Sequence, residues 1–455
     1  MSDLMTNNYN NRKMFFLKHL LNFMNKILRI ALLLTICLMA TSQSSQAQFW
    51  KKIFHKEEPK PKKAPVKKEA AAPAKEVTHT KNKKEPEYPA SQKDSVYTID
   101  VFLPLYLNNL VKDGKAVYPK PPEYAMGAIN FYEGITIAAQ ALSAQQVKLE
   151  INIHDLTQDT AKPEALIAAH KLDKSNLILA YVQSNDIPVL AKFAKQKNIN
   201  FVSALSPADA DTKDNPYFIL IQPTLITHVD QLVHYALGKY GRNPKYILNS
   251  KNSGAEIEAY QQIKRSLTDA KDVKELDCTH FNLTTEVLAR NFDSTKTNIL
   301  FIGTLDIANT EKILNAIAAL PKSYHFEIFG MPSWKNLKGL TSGNYMGLSI
   351  RYTSPFYYDP TTASGQYVNT EFSKTYDGEP TEMVYRGYES IYWFSNLLQR
   401  HGTIFNKDLK DLSSAPFTRY DIKPAYSKEN DFLYLENNKL YILHYQNGGY
   451  VVEGN

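Results

Sequence analysis

Leu177-Ile178-Leu179-Ala180-Tyr181-Val182, Ile199-Asn200-Phe201-Val202-Ser203-Ala204 and Tyr217-Phe218-Ile219-Leu220-Ile221 are three short, almost continuously apolar runs. Strands buried on both faces read this way, and they belong to parallel sheets covered by helices. A helical stretch at 186–197 separates the first two. Another at 225–240 follows the third, with Val229, Leu232, Val233, Ala236, Leu237 and Tyr240 on one apolar stripe. Towards the N-terminus, Tyr97–Leu103 and Val147–Ile153 add two strands, with helices at about 124–142 and 161–172. In the second of these strands Val147, Leu149, Ile151 and Ile153 alternate with Lys148, Glu150 and Asn152. One face is therefore polar, which places this strand at a sheet edge, as the strand order 2-1-3-4-5 requires.

The pattern then repeats. Strands at 245–249, 298–302 and 325–329 alternate with helices near 255–267, 284–292 and 307–320. Such alternation predicts an α/β protein with two doubly wound parallel-sheet lobes. After residue 350 comes the Tyr-rich stretch Arg351-Tyr352-Thr353-Ser354-Pro355-Phe356-Tyr357-Tyr358, then helices at 364–376 and 381–400. Phe432–Glu436 and Lys439–Tyr445 flank Asn437-Asn438, and Asn447-Gly448-Gly449 leads into Tyr450–Glu453, the pattern of a small antiparallel meander.

Charge is unevenly divided. The formal net charge is +7 over 455 residues, yet residues 48–93 alone hold thirteen Lys and six Glu. Residues 94–455 hold 35 basic and 39 acidic side chains, so the folded part is slightly acidic. A nucleic-acid surface needs a concentrated basic footprint, and none is indicated. Lys26 and Arg29 precede an apolar run, Ile30 to Ala40, which ends in small polar residues and Ser45-Gln46-Ala47. This is the layout of a secretory signal peptide over 1–47, and the run is too short to span a bilayer comfortably. Cys37 falls inside it, leaving Cys278 without a disulfide partner once the leader is removed. Residues 48–95, rich in Lys, Pro, Ala and Glu, read as a disordered basic linker. It serves as a plain solvated spacer, or it lets the folded part reach an anionic envelope surface.

Several local sequences carry a family resemblance. They are Val101-Phe102-Leu103-Pro104-Leu105, Ile153-His154-Asp155, Val202-Ser203-Ala204-Leu205-Ser206-Pro207-Ala208, Asn215 to Thr224, Phe329-Gly330-Met331-Pro332-Ser333-Trp334 and Tyr385-Arg386-Gly387-Tyr388-Glu389-Ser390. In order and spacing they resemble the type I periplasmic binding proteins, in particular the branch that delivers branched-chain amino acids to ABC transporters. The resemblance covers about 96–455. It implies discontinuous lobes joined by three crossovers, lobe one comprising 96–222 with 350–425 and lobe two 223–349 with 426–455. It also implies an exported protein of periplasm or cell envelope that clamps a small ligand by hinge closure, with an ABC permease as partner.

In open α/β sheets ligands bind beyond the carboxyl ends of the strands. That rule selects Tyr106, Ser184, Asn185, Ser206 and Ala208 in lobe one, and Asn249, Thr304, Ser333 and Trp334 in lobe two. Ser184 resembles the family serine that holds an amino-acid carboxylate, and Ala208 lies in the matching turn; Ser184 as a helix N-cap is the other reading. The set that would hold an ammonium is missing. Ala210 stands at the threonine position, Ser253 and Leu305 fall near the two tyrosine positions, and Ser333 occupies the acidic one. A free α-amino acid is therefore a poor expectation, and Tyr106, Tyr357, Tyr358 and Trp334 are candidates for aromatic walls around something larger, with core packing the other reading for each.

Catalysis has little support in the sequence. His154 and Asp155 are adjacent on a strand and point to opposite faces. There is no His-Glu-x-x-His, Cys-x-x-Cys, Gly-x-Ser-x-Gly or phosphate-cradling loop, so neither metal nor cofactor is expected. Glu256 and Glu258 read as a solvated helix face. The alternative to a solute receptor is an envelope interaction protein that uses the same fold to regulate a peptidoglycan synthase, and the long linker is consistent with it.

Overall fold

The computed structural model describes Lys83 and residues 85–182, 185–279 and 283–453. The leader expected at 1–47, most of the linker expected at 48–95, and Ser184 lie outside the described residues. In chain order the first lobe begins with β1 (Tyr97–Leu103), α1 (Leu107–Leu110), the short hairpin β2 (Val111–Lys112) and β3 (Lys115–Ala116), and α2 (Glu123–Ala144). It continues with β4 (Leu149–Asp155), α3 (Pro163–Ala168), β5 (Leu177–Ala180), α4 (Ile187–Lys197), β6 (Asn200–Ser203) and β7 (Phe218–Leu220). Next come α5 (Leu225–Tyr240), β8 (Lys245–Asn249), α6 (Gly254–Ser266), β9 (Val273–Asp277), α7 (Thr285–Asn291), β10 (Thr297–Ile302), α8 (Ile307–Ala318), β11 (His325–Phe329), α9 (Lys338–Thr341) and β12 (Ser349–Ser354). The chain closes with α10 (Ala363–Thr375), α11 (Glu382–His401), β13 (Ile422–Tyr426), β14 (Phe432–Asn437), β15 (Tyr441–Gln446) and β16 (Gly449–Glu453).

Two seven-stranded sheets result, in the orders β13-β14-β7-β6-β5-β1-β4 and β16-β15-β12-β11-β10-β8-β9. Each contains the doubly wound order 2-1-3-4-5 extended by C-terminal strands. The alternating strand is indeed an edge: β4 pairs only with β1, Tyr97 opposite Leu149, and buries Asp155 alone, whereas β5 and β6 are buried throughout. Its counterpart β9 is also an edge strand, mostly exposed. A strand with so little to bury has no hydrophobic period, which is why the sequence does not announce it.

Two segments sit in a different sheet from the one expected. β12 lies parallel to β11, Glu327 opposite Ser349, so 349–354 belongs with the second sheet rather than opening a lobe-one segment at 350. Its apolar signature is broken by Arg351, which is buried in ion pairs with Glu327 and Glu453. β14 runs parallel to β7, Leu435 opposite Ile219, so 432–437 belongs with the first sheet rather than the second. Asn437-Asn438 is therefore a crossover, not the turn of a meander. Asn437 pins it, donating to the Ile221 carbonyl at 3.3 Å and accepting from Lys439 N at 3.0 Å and Asp421 N at 3.1 Å. The chain passes between sheets after β7, after β12 and after β14.

At the first of these crossings Glu436, on β14, accepts from Thr224 N at 2.7 Å and Thr227 Oγ1 at 2.9 Å. A carboxylate of the first lobe thus satisfies backbone at the start of α5, the first helix of the second. In the first lobe α2 and α11 cross with backbones almost touching. A Cβ at Gly134 would overlap the Val384 carbonyl, and one at Gly387 the Phe131 carbonyl. Beneath the sheet, Ser91 and Gln92 bond to His401, Thr403 and Ile404, and Tyr88 packs edge-on against Tyr217. The N-terminal segment therefore enters at the amino ends of the strands, away from their carboxyl ends. No helix among the described residues is long and apolar enough to cross a membrane.

Candidate functional site

At the carboxyl end of β4, Asp155 accepts from the backbone N–H groups of Leu105 at 3.0 Å, Tyr106 at 3.3 Å and Leu107 at 2.8 Å. Those bonds hold the turn after β1 and set Tyr106 in the left-handed region, at φ 57°. The Tyr106 ring packs edge-on against exposed Tyr124 at 4.9 Å. After β5, Tyr181 sets its ring against Phe131 at 5.3 Å, and its hydroxyl fills the space where Gly127 lacks a Cβ. Burial pushes the Tyr181 phenol up in pKa, while Arg386 pulls it back down and Tyr106 raises it further. Arg386 and Tyr106 therefore each act electrostatically on Tyr181.

Ser206 and Ala208 close a turn on themselves. Ser203 Oγ donates to the Ser206 carbonyl at 3.2 Å, and Ala208 N donates to Ser206 Oγ at 3.3 Å. Ala208 packs half-buried beside a core cluster of its lobe, and Asn185 is exposed.

The second lobe treats its strand ends differently. Glu256, expected on a solvated face, is buried. Its Oε2 accepts from Ser250 Oγ at 2.7 Å and Asn252 N at 2.9 Å. Its Oε1 accepts from Leu305 N at 2.8 Å and Asp306 N at 3.3 Å. One carboxylate thus ties down the loops after β8 and β10. Helix periodicity could not reveal this, because the partners come from loops distant in sequence. Thr304 and Trp334 are both 0% exposed. Thr304 Oγ1 lies 3.2 Å from Ser250 Oγ, and the Trp334 indole donates to the Thr304 carbonyl at 3.2 Å. Trp334 is a core residue here, not an aromatic wall. Ser333 Oγ donates to the Leu305 carbonyl at 3.1 Å. Asn249 is buried with its Oδ1 lacking a hydrogen-bond partner, while its Nδ2 lies 3.4 Å from the Leu276 carbonyl.

The residue that gathers the strand ends together is one the sequence did not single out. Arg386, on α11, is 7% exposed. Its Nη2 donates to the Ala204 carbonyl just past β6 at 3.2 Å and to Gln222 Oε1 just past β7 at 2.9 Å. Its guanidinium carbon lies 5.4 Å from the centre of the Phe356 ring, which follows the second crossover. Glu382, one turn earlier on α11, is 3.4 Å from Arg386 Nη1 and also 3.7 Å from Lys335 Nζ. Lys335 belongs to the second lobe, in the turn after β11. Carboxyl ends of strands, a crossover and the opposing lobe therefore converge on Arg386 and Glu382. The available signal was an arginine within a helix that carries five aromatic residues between Val384 and Leu398. Nearby, Tyr358 stacks on Tyr385 with centroids 3.9 Å apart, and Tyr357 is partly exposed beside Tyr441.

His154 Nε2 lies 2.7 Å from Asp100 Oδ1, and Ser175 Oγ bonds to Asp100 Oδ2. Asp100 is central in this trio and both partners bond to it, whereas a nucleophilic triad needs the histidine between hydroxyl and carboxylate. It cross-braces β1, β4 and the approach to β5.

A family model described as periplasmic binding protein matches residues 113–421, well over half the chain. Among solved structures, a protein from Rhodospirillum rubrum assigned to branched-chain amino-acid ABC transport superposes with a TM-score of 0.56 at 11% identity, covering 78% of this chain and 99% of the other. A periplasmic ligand-binding protein of a branched-chain amino-acid ABC transporter from Burkholderia xenovorans gives 0.54 at 14% identity, covering 79% and 94%. An ABC transporter substrate-binding protein from Desulfitobacterium hafniense gives 0.50 at 15%, covering 78% and 99%. No curated protein matches the chain in sequence. At these identities the structures establish the fold, and the family match establishes membership. The chain belongs to the periplasmic binding protein family, with the two-lobed fold of type I.

Proposed function

We propose that this chain is an exported solute-binding protein that holds a small ligand between its lobes, in ABC-type uptake or in sensing, without chemical turnover. The observation that carries the reading is the convergence on Arg386. Its hydrogen bonds reach the ends of β6 and β7, its ring neighbour follows a crossover, and its carboxylate neighbour Glu382 meets Lys335 of the other lobe. A ligand placed there touches both halves of a hinged molecule, which is how binding energy is converted into closure. Glu436 at the hinge gives the two halves a shared, hydrogen-bonded pivot.

Thermal melts of the purified protein against amino acids, peptides and muropeptides test this. A bound solute raises Tm in a concentration-dependent way, by about 2.7 kcal/mol of stabilisation at a hundredfold excess over Kd. No shift with any compound, together with capture of a peptidoglycan synthase from envelope extracts, would contradict it. That outcome would favour the second reading, an envelope interaction protein, for which the Lys- and Pro-rich sequence of 48–95 is the supporting observation.

A further inference from the structure

We propose that a groove at the foot of the first lobe seats this chain's own lysine cluster, Lys60 to Lys68, and so latches the linker to the folded part. The groove lies at the amino ends of the strands, away from the cleft. Asn198 precedes β6, Pro216 and Tyr217 precede β7, and Phe432 and Leu433 begin β14. Between these residues and Pro86 of the entering N-terminal segment is a space of about 850 Å3. Its walls are bonded to each other: Asp214 N donates to the Phe432 carbonyl at 3.0 Å, and Asn215 N to the Leu433 carbonyl at 2.8 Å. The groove is therefore part of the fold, not a gap beside a loose loop.

Its chemistry selects lysine. Apolar lining from Pro216, Tyr217 and Phe432 stands beside five carboxylates, those of Glu85, Glu87, Asp214, Glu429 and Asp431. Lys195 and Lys213 oppose them, which leaves an excess of three negative charges. Lys195 is taken by Asp214 at 3.3 Å, whereas Glu85 and Glu429 are exposed and have no ion pair among the described residues. Asn198, which caps the C-terminus of α4, also lines the groove, so the negative end of that helix faces it. A lysine lays its methylene stem on apolar surface and carries its ammonium to a carboxylate. Lys83 already does something similar, with its Nζ 5.0 Å from the centre of the Tyr426 ring, next in sequence to Ser427 of the groove. The chain supplies the rest of the complement. Lys60, Lys62, Lys63, Lys67 and Lys68 place five positive charges in nine residues without an acid. The described residues begin at Lys83, two positions before Glu85 of the groove, and fourteen residues, 69–82, separate it from the cluster. Those fourteen reach at most about 50 Å. Attachment therefore keeps the cluster at an effective concentration on the order of 1 mM, where weak, salt-sensitive pairing is enough. A seated cluster shortens the linker and withholds its charge from any anionic surface.

The test is double electron–electron resonance on the full chain carrying Cys37→Ser, with spin labels at Ala64→Cys inside the cluster and at Gln196→Cys, an exposed position on α4. Cys278 is buried and stays unlabelled. At about 20 mM salt the distance distribution should contain a narrow component, which should fall by about threefold or more at about 0.5 M salt. Glu85→Lys with Glu429→Lys reverses the rim and should remove that component at low salt. Replacing the five lysines of the cluster by glutamate in the reversed background should bring it back. A distribution that is broad at low salt, or one that keeps its narrow component in the reversed rim, would overturn the proposal. Mixing with excess unlabelled chain separates the sources. An unchanged narrow component supports seating within one chain, whereas its loss would assign the groove to the cluster of a second copy and overturn the proposal. Both rim positions are exposed, and near-UV circular dichroism of each variant confirms that the fold is retained. No solute enters the experiment, so its failure leaves the cleft reading untouched.

Discussion

The two lobes are built to one plan but finish their strand ends in opposite ways. In the second lobe the ends are bonded to themselves: Glu256 captures four donors from two loops, Trp334 spends its N–H on Thr304, and Ser333 spends its hydroxyl on Leu305. In the first lobe Asp155 performs the same service for the turn after β1, while Arg386, from α11, ties the ends of β6 and β7 and pairs with Glu382. One half ties its strand ends to its own loops; the other ties them through a buried arginine whose carboxylate partner also meets the opposite half.

The sharpest way to break that comparison is to unsatisfy the second lobe. Glu256→Ala strands the N–H groups of Asn252, Leu305 and Asp306 and should cost about 3 kcal/mol or more. Urea denaturation reads the loss, and faster hydrogen exchange at Leu305 and Asp306 should accompany it. An unchanged midpoint would mean that the loops stand without the clamp.

Each lobe also buries a titratable group with an unpartnered atom, His228 in the second and Glu133 in the first, and these two should respond to pH in opposite directions. Burial pushes His228, on α5, down to about 3; Thr353 Oγ1 lies 2.7 Å from its Nδ1, while Nε2 is unpaired. A histidine buried neutral contributes stability above its unfolded value of 6.5 that is lost as pH falls towards 3, at ~1.4 kcal/mol per unit. His228→Gln should flatten the acid limb of a Tm-against-pH curve. Burial pushes Glu133, on α2, up to about 8, and its Oε2 has no partner. Its folded value lies above the unfolded 4.5, so stability is full below 4.5 and lost as pH rises through 8. Glu133→Gln should therefore be more stable than wild type at pH 9, by about 2 kcal/mol. A variant that loses stability at every pH would contradict the assignment. The smallest effect belongs to the contact between the lobes: Lys335→Ala removes a half-exposed ion pair and should change stability by no more than about 0.5 kcal/mol in chemical denaturation.

How much of this was readable beforehand follows from where the signals reside. Strands 245–249 and 325–329 and helix 225–240 emerge with the boundaries the sequence indicates, because interior elements carry strong hydrophobic periods. The edge strand β9 and the ion-paired strand β12 do not, since their residues are polar for reasons that appear only when distant strands meet. For the candidate site, the strand-end rule points to the rim on which Arg386 converges but names other side chains there. Trp334 and Thr304 are buried where the loops after β11 and β10 bond to each other, while Arg386 comes from a helix that the rule ignores. Long-range convergence of that kind has no local spelling in the chain.

The central claim is that the lobes close on a solute. Spin labels at exposed Lys120 in the first lobe and exposed Glu258 in the second, placed as Lys120→Cys and Glu258→Cys, give the distance between them by double electron–electron resonance. Cys278 is buried and should stay unlabelled. With a solute that stabilises the protein in melts, the distribution should narrow and move to shorter distance, and Arg386→Lys should abolish the change. A distribution that stays the same in the presence of such a solute would contradict the account.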